Sequence, residues 1–431
     1  MQKRLRRAEA RLKQKDFAGA ERELFAILDD APGEAAAHNM LGLVHLERRA
    51  YPDALSAFSN AVALQRPYPE ALINLALVCN RTGQHELALK ACDLALTASP
   101  GNPLAFINQG MAHKGLRQLG DAKRSFEAAG DHPMARFNLG HVALLENDLE
   151  RGLPLCENRR GVLRTGAGLA GEPWTGDARP DATLLVIPEQ GIGDFVLMSR
   201  FLKPLADRFA RVVVQAPESL VRLLRTLDPR LDVVTSLDGA SWDVWAPIMS
   251  LPLLLGIRDV KDVPTEPWIR VEPSRPAGTR PRVGINWAGN PSYAYDFVRS
   301  TALENLAPLL SVQEIEWVSL HRGTREMEAD RFGLAQPLRD AKDFLDTARV
   351  IAGLDMVVST ETAIPNLSSA MGVPTCVLSV EDVDWRWAAW YRNVTICAQR
   401  EPGNWFGPIS DVAGALLATL PGDAQETKLA A

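Results

Sequence analysis

At 431 residues, with 46% hydrophobic residues and a formal net charge of -6, the chain has material for two or three domains with real cores. Its acidity argues against a general nucleic-acid binder. No apolar run approaches the roughly 18 residues of a membrane span. The basic start, Met1 to Arg7, leads into Ala/Glu/Lys-rich sequence with no apolar segment, so it does not have the form of a signal peptide. Cys79, Cys92, Cys156, Cys376 and Cys397 are scattered and form no C-x-x-C pair. That pattern fits free thiols in a reducing compartment, and the expected location is cytoplasmic.

Small and large residues recur through the first third of the chain with a period of 34 residues, as in Leu41-Gly42, Leu75-Ala76 and Gly110. Phe58, Cys92 and Phe126 follow the same step, as do Ala54, Ala88 and Ala122. Copies begin at Ala35, Pro69 and Pro103; the last begins near Pro133, so the copy before it is about four residues short. The period and the placement of small and large residues resemble the tetratricopeptide repeat. Repeats of this kind bury their apolar faces only by stacking, which predicts an α-solenoid over 1–160 with a concave groove for a protein or peptide partner. Spacer or self-association roles are the alternatives. Cys79 and Cys92 fall at core positions of the repeat. His38, His45, His85, His113, His132 and His141 show no metal-ligand spacing and are expected at surface or inter-repeat positions. The basic cluster from Lys3 to Arg11 is expected to be the solvated face of a first helix.

Residues 161–182 lapse into Gly, Pro and Thr and are expected to be a linker or docking segment that Trp174 pins to a neighbouring domain. From Thr183 strands and helices alternate, as in a parallel sheet covered on both faces. Strands are predicted at 183–187, 211–215, 231–235 and 243–246, with helices over 195–208 and 219–227. After a Pro-rich break at 263–282, strands follow at 283–287, 316–320, 356–359 and 375–378. Helices are expected near 303–310, 344–352, 364–371 and 412–420. Two Rossmann-like domains result, 183–275 and 276–420, facing across a cleft at the carboxyl ends of their strands. Residues 421–431 are expected to be a disordered tail.

Two turns could carry chemistry. Thr183 to Ile187 is a bare apolar run, and Gln190-Gly191-Ile192-Gly193-Asp194 breaks it before a helix. A dinucleotide fingerprint would need glycine where Val196 stands, so a nicotinamide enzyme is not expected, and no Walker sequence is present. Asp194 could accept a proton from an attacking hydroxyl, or merely cap the helix at a benefit of about 1 kcal/mol. In the second half a strand again enters a glycine turn at Gly284-Ile-Asn286-Trp287-Ala-Gly289, and beyond it Arg299 and Ser300 could bind phosphate. Ser359-Thr-Glu361-Thr362-Ala363-Ile-Pro-Asn366 places a strand end before a helix whose free N–H groups would suit a diphosphate. His321, the one histidine after residue 182, could touch the ligand or cap its turn. No zinc site can be assembled from these residues, and no Ser/His/Asp hydrolase unless His321 serves it. Asp382-Val-Asp384 imitates a D-x-D metal motif but belongs to the Asp384-Trp-Arg-Trp387 segment. Trp385, Trp387 and Trp390 are expected to pack a closing segment or to stack on sugars.

Taken in order, Glu189–Asp194, Gly284–Asn290, Asp343–Ala348, Glu361–Gly372 and Asp384–Trp387 resemble bacterial tetratricopeptide-repeat glycosyltransferases related to the lipopolysaccharide heptosyltransferases. The resemblance runs from residue 1 to about 410. It implies a GT-B fold and inverting, metal-independent transfer from a nucleotide-diphosphate sugar, with no other cofactor. It makes Asp194 the general base, with Gln190, Gly191 and Gly193 on the acceptor side. Ser359–Asn366 would meet the donor phosphates, with Asn286, Trp287, Arg299, Ser300 and His321 nearby. The family's usual acidic residue and histidine in this helix start are Asp and His; here Glu361 and Asn366 stand in their places, a change that would weaken or reshape phosphate binding. Two other readings follow: a non-catalytic interaction protein on a degenerate body, and a glycolipid or polysaccharide transferase.

Overall fold

The computed structural model describes residues 1–274, 280–293, 296–380, 384–401 and 403–419. It divides into two compact units, one over Met1–Leu163 and the other from Arg164 onward.

The first unit is a run of helical hairpins: Gln2–Lys13 with Phe17–Asp30, Ala35–Glu47 with Tyr51–Leu64, Pro69–Arg81 with His85–Ala98, Pro103–Gly115 with Leu119–Ala128, and Pro133–Leu145 with Leu149–Cys156. Proline opens three of the first helices, where its missing N–H would be unpaired anyway. Packing between the two helices of a hairpin depends on volume matching. A Cβ at Gly42 would lie 2.5 Å from the Phe58 ring, and one at Gly110 would lie 2.6 Å from Phe126. Where the large partner shrinks to Cys92, the small residue is Ala76, and both are fully buried. The short copy is explained by its second helix, Leu119–Ala128, which has 10 residues where the two before it have 14.

The hairpin turns share one backbone device. Lys15, Arg49, Gly83, Arg117 and Asn147 occupy equivalent positions, all in the left-handed region with φ of 59°, 61°, 74°, 59° and 60°. Only one is glycine, so the other turns hold a conformation costing about 1 kcal/mol that the flanking helices must offset. The histidines serve local roles: His132 accepts the Met134 N–H at a helix start, His113 pairs with Gln118 and His38 with the Pro32 carbonyl.

The second unit holds two five-stranded parallel sheets. The first contains β1 (Glu172–Pro173), β2 (Arg179–Ile187), β3 (Phe209–Gln215), β4 (Leu231–Val234) and β5 (Val244–Pro247), in the order β1-β5-β2-β3-β4. The second contains β6 (Arg282–Asn286), β7 (Glu316–Ser319), β8 (Met356–Thr360), β9 (Thr375–Ser379) and β10 (Val394–Ala398), in the order β10-β9-β8-β6-β7. Leu184, Leu185 and Val186 of β2 are fully buried, as an apolar run at the centre of a sheet covered on both faces requires. β2 and β8 are the central strands, and the two chemically suggestive turns directly follow them.

Several boundaries differ from the sequence reading. Within 161–182 lie edge strand β1 and the start of β2, so of the two expectations, linker or docking segment, these residues follow the second. Trp174 is buried edge-on against Phe209 at 5.2 Å, its backbone N–H donating to the Trp245 carbonyl at 2.8 Å. The helix predicted over 195–208 ends at Met198 and continues as two short 3-10 segments, Ser199–Phe201 and Lys203–Asp207. The Ser199 hydroxyl donates to the Val196 carbonyl at 2.7 Å, and Pro204 has no N–H to extend an α-helical ladder. The last helix begins at Phe406, earlier than predicted. The 421–431 tail and Asp382 of the D-x-D sequence lie outside the described residues.

The Pro-rich crossing between the sheets is pinned on both sides. Trp268 and Ile269 donate backbone N–H groups to the Ala370 carbonyl at 3.0 and 3.2 Å, while the Trp268 indole donates to Ser199 Oγ at 2.9 Å. On the outer rim Arg222 pairs with Asp343 at 3.1 Å and Asp346 at 3.4 Å.

Candidate functional site

The turn after β2 is built around one strained residue and one close approach. Gln190 adopts φ 59°, whereas Gly191 sits at an ordinary −89° and caps the Ile192–Met198 helix. Glu189 is buried and accepts from Thr165 Oγ1 at 2.8 Å. Asp194, in the first helical turn, accepts the Gly191 N–H at 3.3 Å through Oδ2. Gly193 is small for a different reason: a Cβ there would lie 3.0 Å from Asn366 Nδ2 and 3.3 Å from the Thr362 carbonyl. The first turn therefore touches the second directly, where the sequence reading set the two across a cleft.

The turn after β8 is organised by Asn286 at the end of β6. Its Nδ2 donates to Ser359 Oγ at 3.0 Å and Thr362 Oγ1 at 3.1 Å, and its Oδ1 faces His321 Nδ1 at 3.2 Å. Thr362 caps the Ala363–Ala370 helix by accepting the Ile364 N–H at 3.3 Å. Trp287 is fully buried with its ring 4.8 Å from His321, and burial pushes the imidazole below its ordinary pKa. Asn286, Trp287, His321, Ser359 and Thr362 thus form one knot at the carboxyl ends of neighbouring strands. Arg299 is used differently from the predicted phosphate ligand. It donates to Asp296 at 3.0 Å and to the Glu361 carbonyl at 2.9 Å, with its guanidinium 4.4 Å over Tyr293. Ser300 Oγ accepts the Gly289 N–H at 2.9 Å. Arg299 shapes the turn that carries Glu361, and Ser300 the loop at Gly289.

A third segment, Asp384–Tyr391, links the two turns. Arg386 is held by Asp384 through Nε at 3.0 Å and through Nη2, and its Nη1 donates to Asp194 Oδ1 at 2.8 Å. The Asp194 and Arg386 side chains are only 22% and 20% exposed, a setting in which such a pair is screened weakly. Burial opposes the Arg386 charge, yet Asp384 and Asp194 hold its pKa well above the ordinary value. Trp387 Nε1 donates to Glu361 Oε1 at 2.9 Å. Asn366 gives Nδ2 to the Thr362 carbonyl at 3.1 Å and accepts the Tyr391 hydroxyl at 3.0 Å. A residue offering both a donor and an acceptor is what this position uses. Trp387 and Trp390 are buried, as expected of packing residues.

Beneath this layer Arg200 bridges the sheets. Its Nη1 donates to the Trp390 carbonyl at 2.7 Å and the Pro264 carbonyl at 2.9 Å, while Nε donates to the Leu197 carbonyl at 3.1 Å. The guanidinium lies 4.0 Å from the Trp268 ring centroid and 4.7 Å from that of Tyr391. Burial lowers its pKa to about 10 and raises that of Tyr391. The sequence reading gave no role to Arg200, Arg386 or Tyr391, although Arg386 stood inside the Asp384–Trp387 segment; the one available signal was its place between tryptophans in Trp385-Arg-Trp387.

Glu361 is the carboxyl of the group with a raised pKa. Burial, and then the charge of Asp384, push its carboxyl up to about 7 from 4.5. The folded state therefore favours the protonated form. Stability from this group is fully present below about pH 4.5 and is lost as pH rises through about 7. Glu361→Gln should remove that loss, so the variant gains relative to the native chain between pH 5 and 8, by on the order of 3 kcal/mol. Urea midpoints at the two pH values check this; an equal gap at both would contradict it.

Among the described residues, no group of three or more His, Cys, Asp or Glu side chains is placed to hold a metal ion, and no helix is long and apolar enough to cross a membrane. The Tetratricopeptide repeat family matches residues 5–69 and 48–103, so the N-terminal helical array is of that type, a class of module that mediates protein interaction. The chain as a whole is similar to Protein FlbA of Caulobacter vibrioides, with 26% identity over 429 residues, covering 91% of this chain and 69% of FlbA. Among solved structures, MamA from Desulfovibrio magneticus RS-1 is 17% identical, with a TM-score of 0.33 over 38% of this chain and 93% of its own. A thermophilic TPR protein of Thermus thermophilus, TTC0263, is 19% identical, with a TM-score of 0.34 over 38% of this chain and 92% of its own.

Proposed function

We propose that the α/β unit is an inverting, metal-independent glycosyltransferase of GT-B type, using a nucleotide-diphosphate sugar and an acceptor protein recruited by the repeat array. The acceptor oxygen attacks the anomeric carbon as the bond to the diphosphate breaks. Asp194 takes the hydroxyl proton, and the diphosphate leaves with the bonding electrons. The start of the Ala363–Ala370 helix offers backbone N–H groups to that leaving group. One observation carries the reading: the turns that end the two central strands adjoin, so Asp194 stands beside the Thr362-capped helix start rather than remote from it. Supply of nucleotide sugars would place the reaction in the cytoplasm.

Calorimetry with UDP-, GDP-, ADP- and CMP-sugars tests the donor site. Micromolar binding of one of them is the expected result, and no binding at millimolar concentration would overturn the reading. Removing residues 1–163 should abolish transfer to a protein acceptor while leaving nucleotide binding intact; a glycolipid or polysaccharide transferase would keep its acceptor. A second reading, a non-catalytic interaction protein, is favoured by the engagement of Asp194 with Arg386 and of Glu361 with Trp387. Absence of binding across the nucleotide panel would establish it.

A further inference from the structure

The partner of Asp194 has a geometry suited to exchange. A guanidinium has five donors in a rigid fork. In Arg386, Nε and Nη2 are committed to Asp384, the residue two positions earlier, which anchors the head group whatever the remaining corner does. Only Nη1 reaches Asp194, at 2.8 Å. Asp194 in turn adjoins Gly193, whose α-carbon faces the Thr362 carbonyl, the Ala363 Cα and the Asn366 amide at the helix start. The next residue, Trp387, bonds Glu361 at that same turn. A diphosphate held at the helix start would compete with Asp194 for Nη1, in a largely buried setting where a charged pair is screened weakly.

Resting on the glycosyl-transfer reading of this site, we infer that Arg386 is a positioning residue that passes from Asp194 to the donor diphosphate. Binding of the diphosphate releases the carboxylate to act as base, so Asp194 is engaged while the site is empty and free when the donor is bound. The departing diphosphate keeps its contact with Arg386, and departure of the product returns Arg386 to Asp194. Glu361 and Asn366 fit this arrangement. Neither adds a cation at the helix start, and Arg386 supplies the positive charge there.

The exchange has a consequence opposite to ordinary site mutagenesis: removing the base should strengthen diphosphate binding. Inorganic pyrophosphate titrated into the full chain by calorimetry is the probe. Asp194→Asn is expected to bind it about three- to tenfold more tightly than the native chain, because Arg386 no longer has a charged competitor. Arg386→Gln should bind about tenfold more weakly, Arg386→Lys should recover part of that loss, and Asp194→Asn with Arg386→Gln should show no gain over Arg386→Gln alone. If pyrophosphate binds the native chain but Asp194→Asn shows no gain, the exchange is wrong and the transferase reading is untouched. If pyrophosphate binds no form of the chain, while circular dichroism shows each folded, the donor site itself is misassigned and the exchange falls with it.

Discussion

Replacing Arg200 by methionine is expected to lower the stability of the α/β unit by about 3 kcal/mol, one of the largest effects of a single substitution away from the reacting groups. Methionine preserves much of the side-chain volume, so the loss isolates the guanidinium. Three carbonyls, those of Leu197, Pro264 and Trp390, would lose this donor; the bonds to Leu197 and Trp390 are buried, where each orphan costs about 1–3 kcal/mol, while exposed Pro264 can turn to water. Contact with Trp268 and Tyr391 adds roughly 1–2 kcal/mol where the cation is desolvated. Relief of the desolvation that lowers the Arg200 pKa offsets part of this sum. Arg200→Lys should recover less than half, because an ammonium cannot span carbonyls on opposite sides of one fork. Urea unfolding followed by tryptophan fluorescence reads the change, since Trp268 and Trp390 flank the site. A loss below about 0.5 kcal/mol would show that the sheets are held together elsewhere, as by Arg222 with Asp343 and Asp346.

Why Arg200 was invisible in the sequence while β2 was plain comes down to range. Thr183 to Ile187 announces a buried central strand through its own residues, and the period of 34 announces the solenoid through self-similarity; both signals are local or repeated. Gly42 and Gly110 could be recognised as packing positions because Phe58 and Phe126 recur at a fixed distance. Arg200 lies among Leu197, Met198, Phe201 and Leu202, and its partners are Pro264, Trp268 and Trp390, up to 190 residues away. Nothing nearby distinguishes it from a solvated arginine on an amphipathic helix.

The candidate site shows the same division. Asp194, Ser359, Thr362 and the helix after it were legible because strand, turn and helix follow one another in sequence. Strand β10 was not, since Val394-Thr-Ile-Cys-Ala398 is a short edge segment without an apolar run. The turn residues Lys15, Arg49 and Arg117 carry side chains that ordinarily argue against left-handed backbone, so only the repeat register reveals their common role. Gly191 and Gly193 resemble a pair with one purpose, yet the strained position is Gln190 and only Gly193 is required for close contact. Arg299 and Ser300, read from the sequence as a possible phosphate-binding pair, support the Glu361 backbone and the Gly289 loop respectively, partners that lie too far along the chain for local pattern to show.

Catalysis by Asp194 is the central claim, and the substitution that tests it most directly is Asp194→Asn. The amide keeps the size of the carboxylate and can still accept the Gly191 N–H, so folding should be retained while the proton acceptor is lost. General-base contributions are typically about 10²–10⁴-fold. Transfer from the nucleotide sugar that binds the native chain, measured as glycosylated acceptor with the anomeric configuration of the product, should fall by at least about 100-fold in the variant. The native product should carry the inverted configuration. Full transfer activity by a natively folded Asp194→Asn chain would contradict the account.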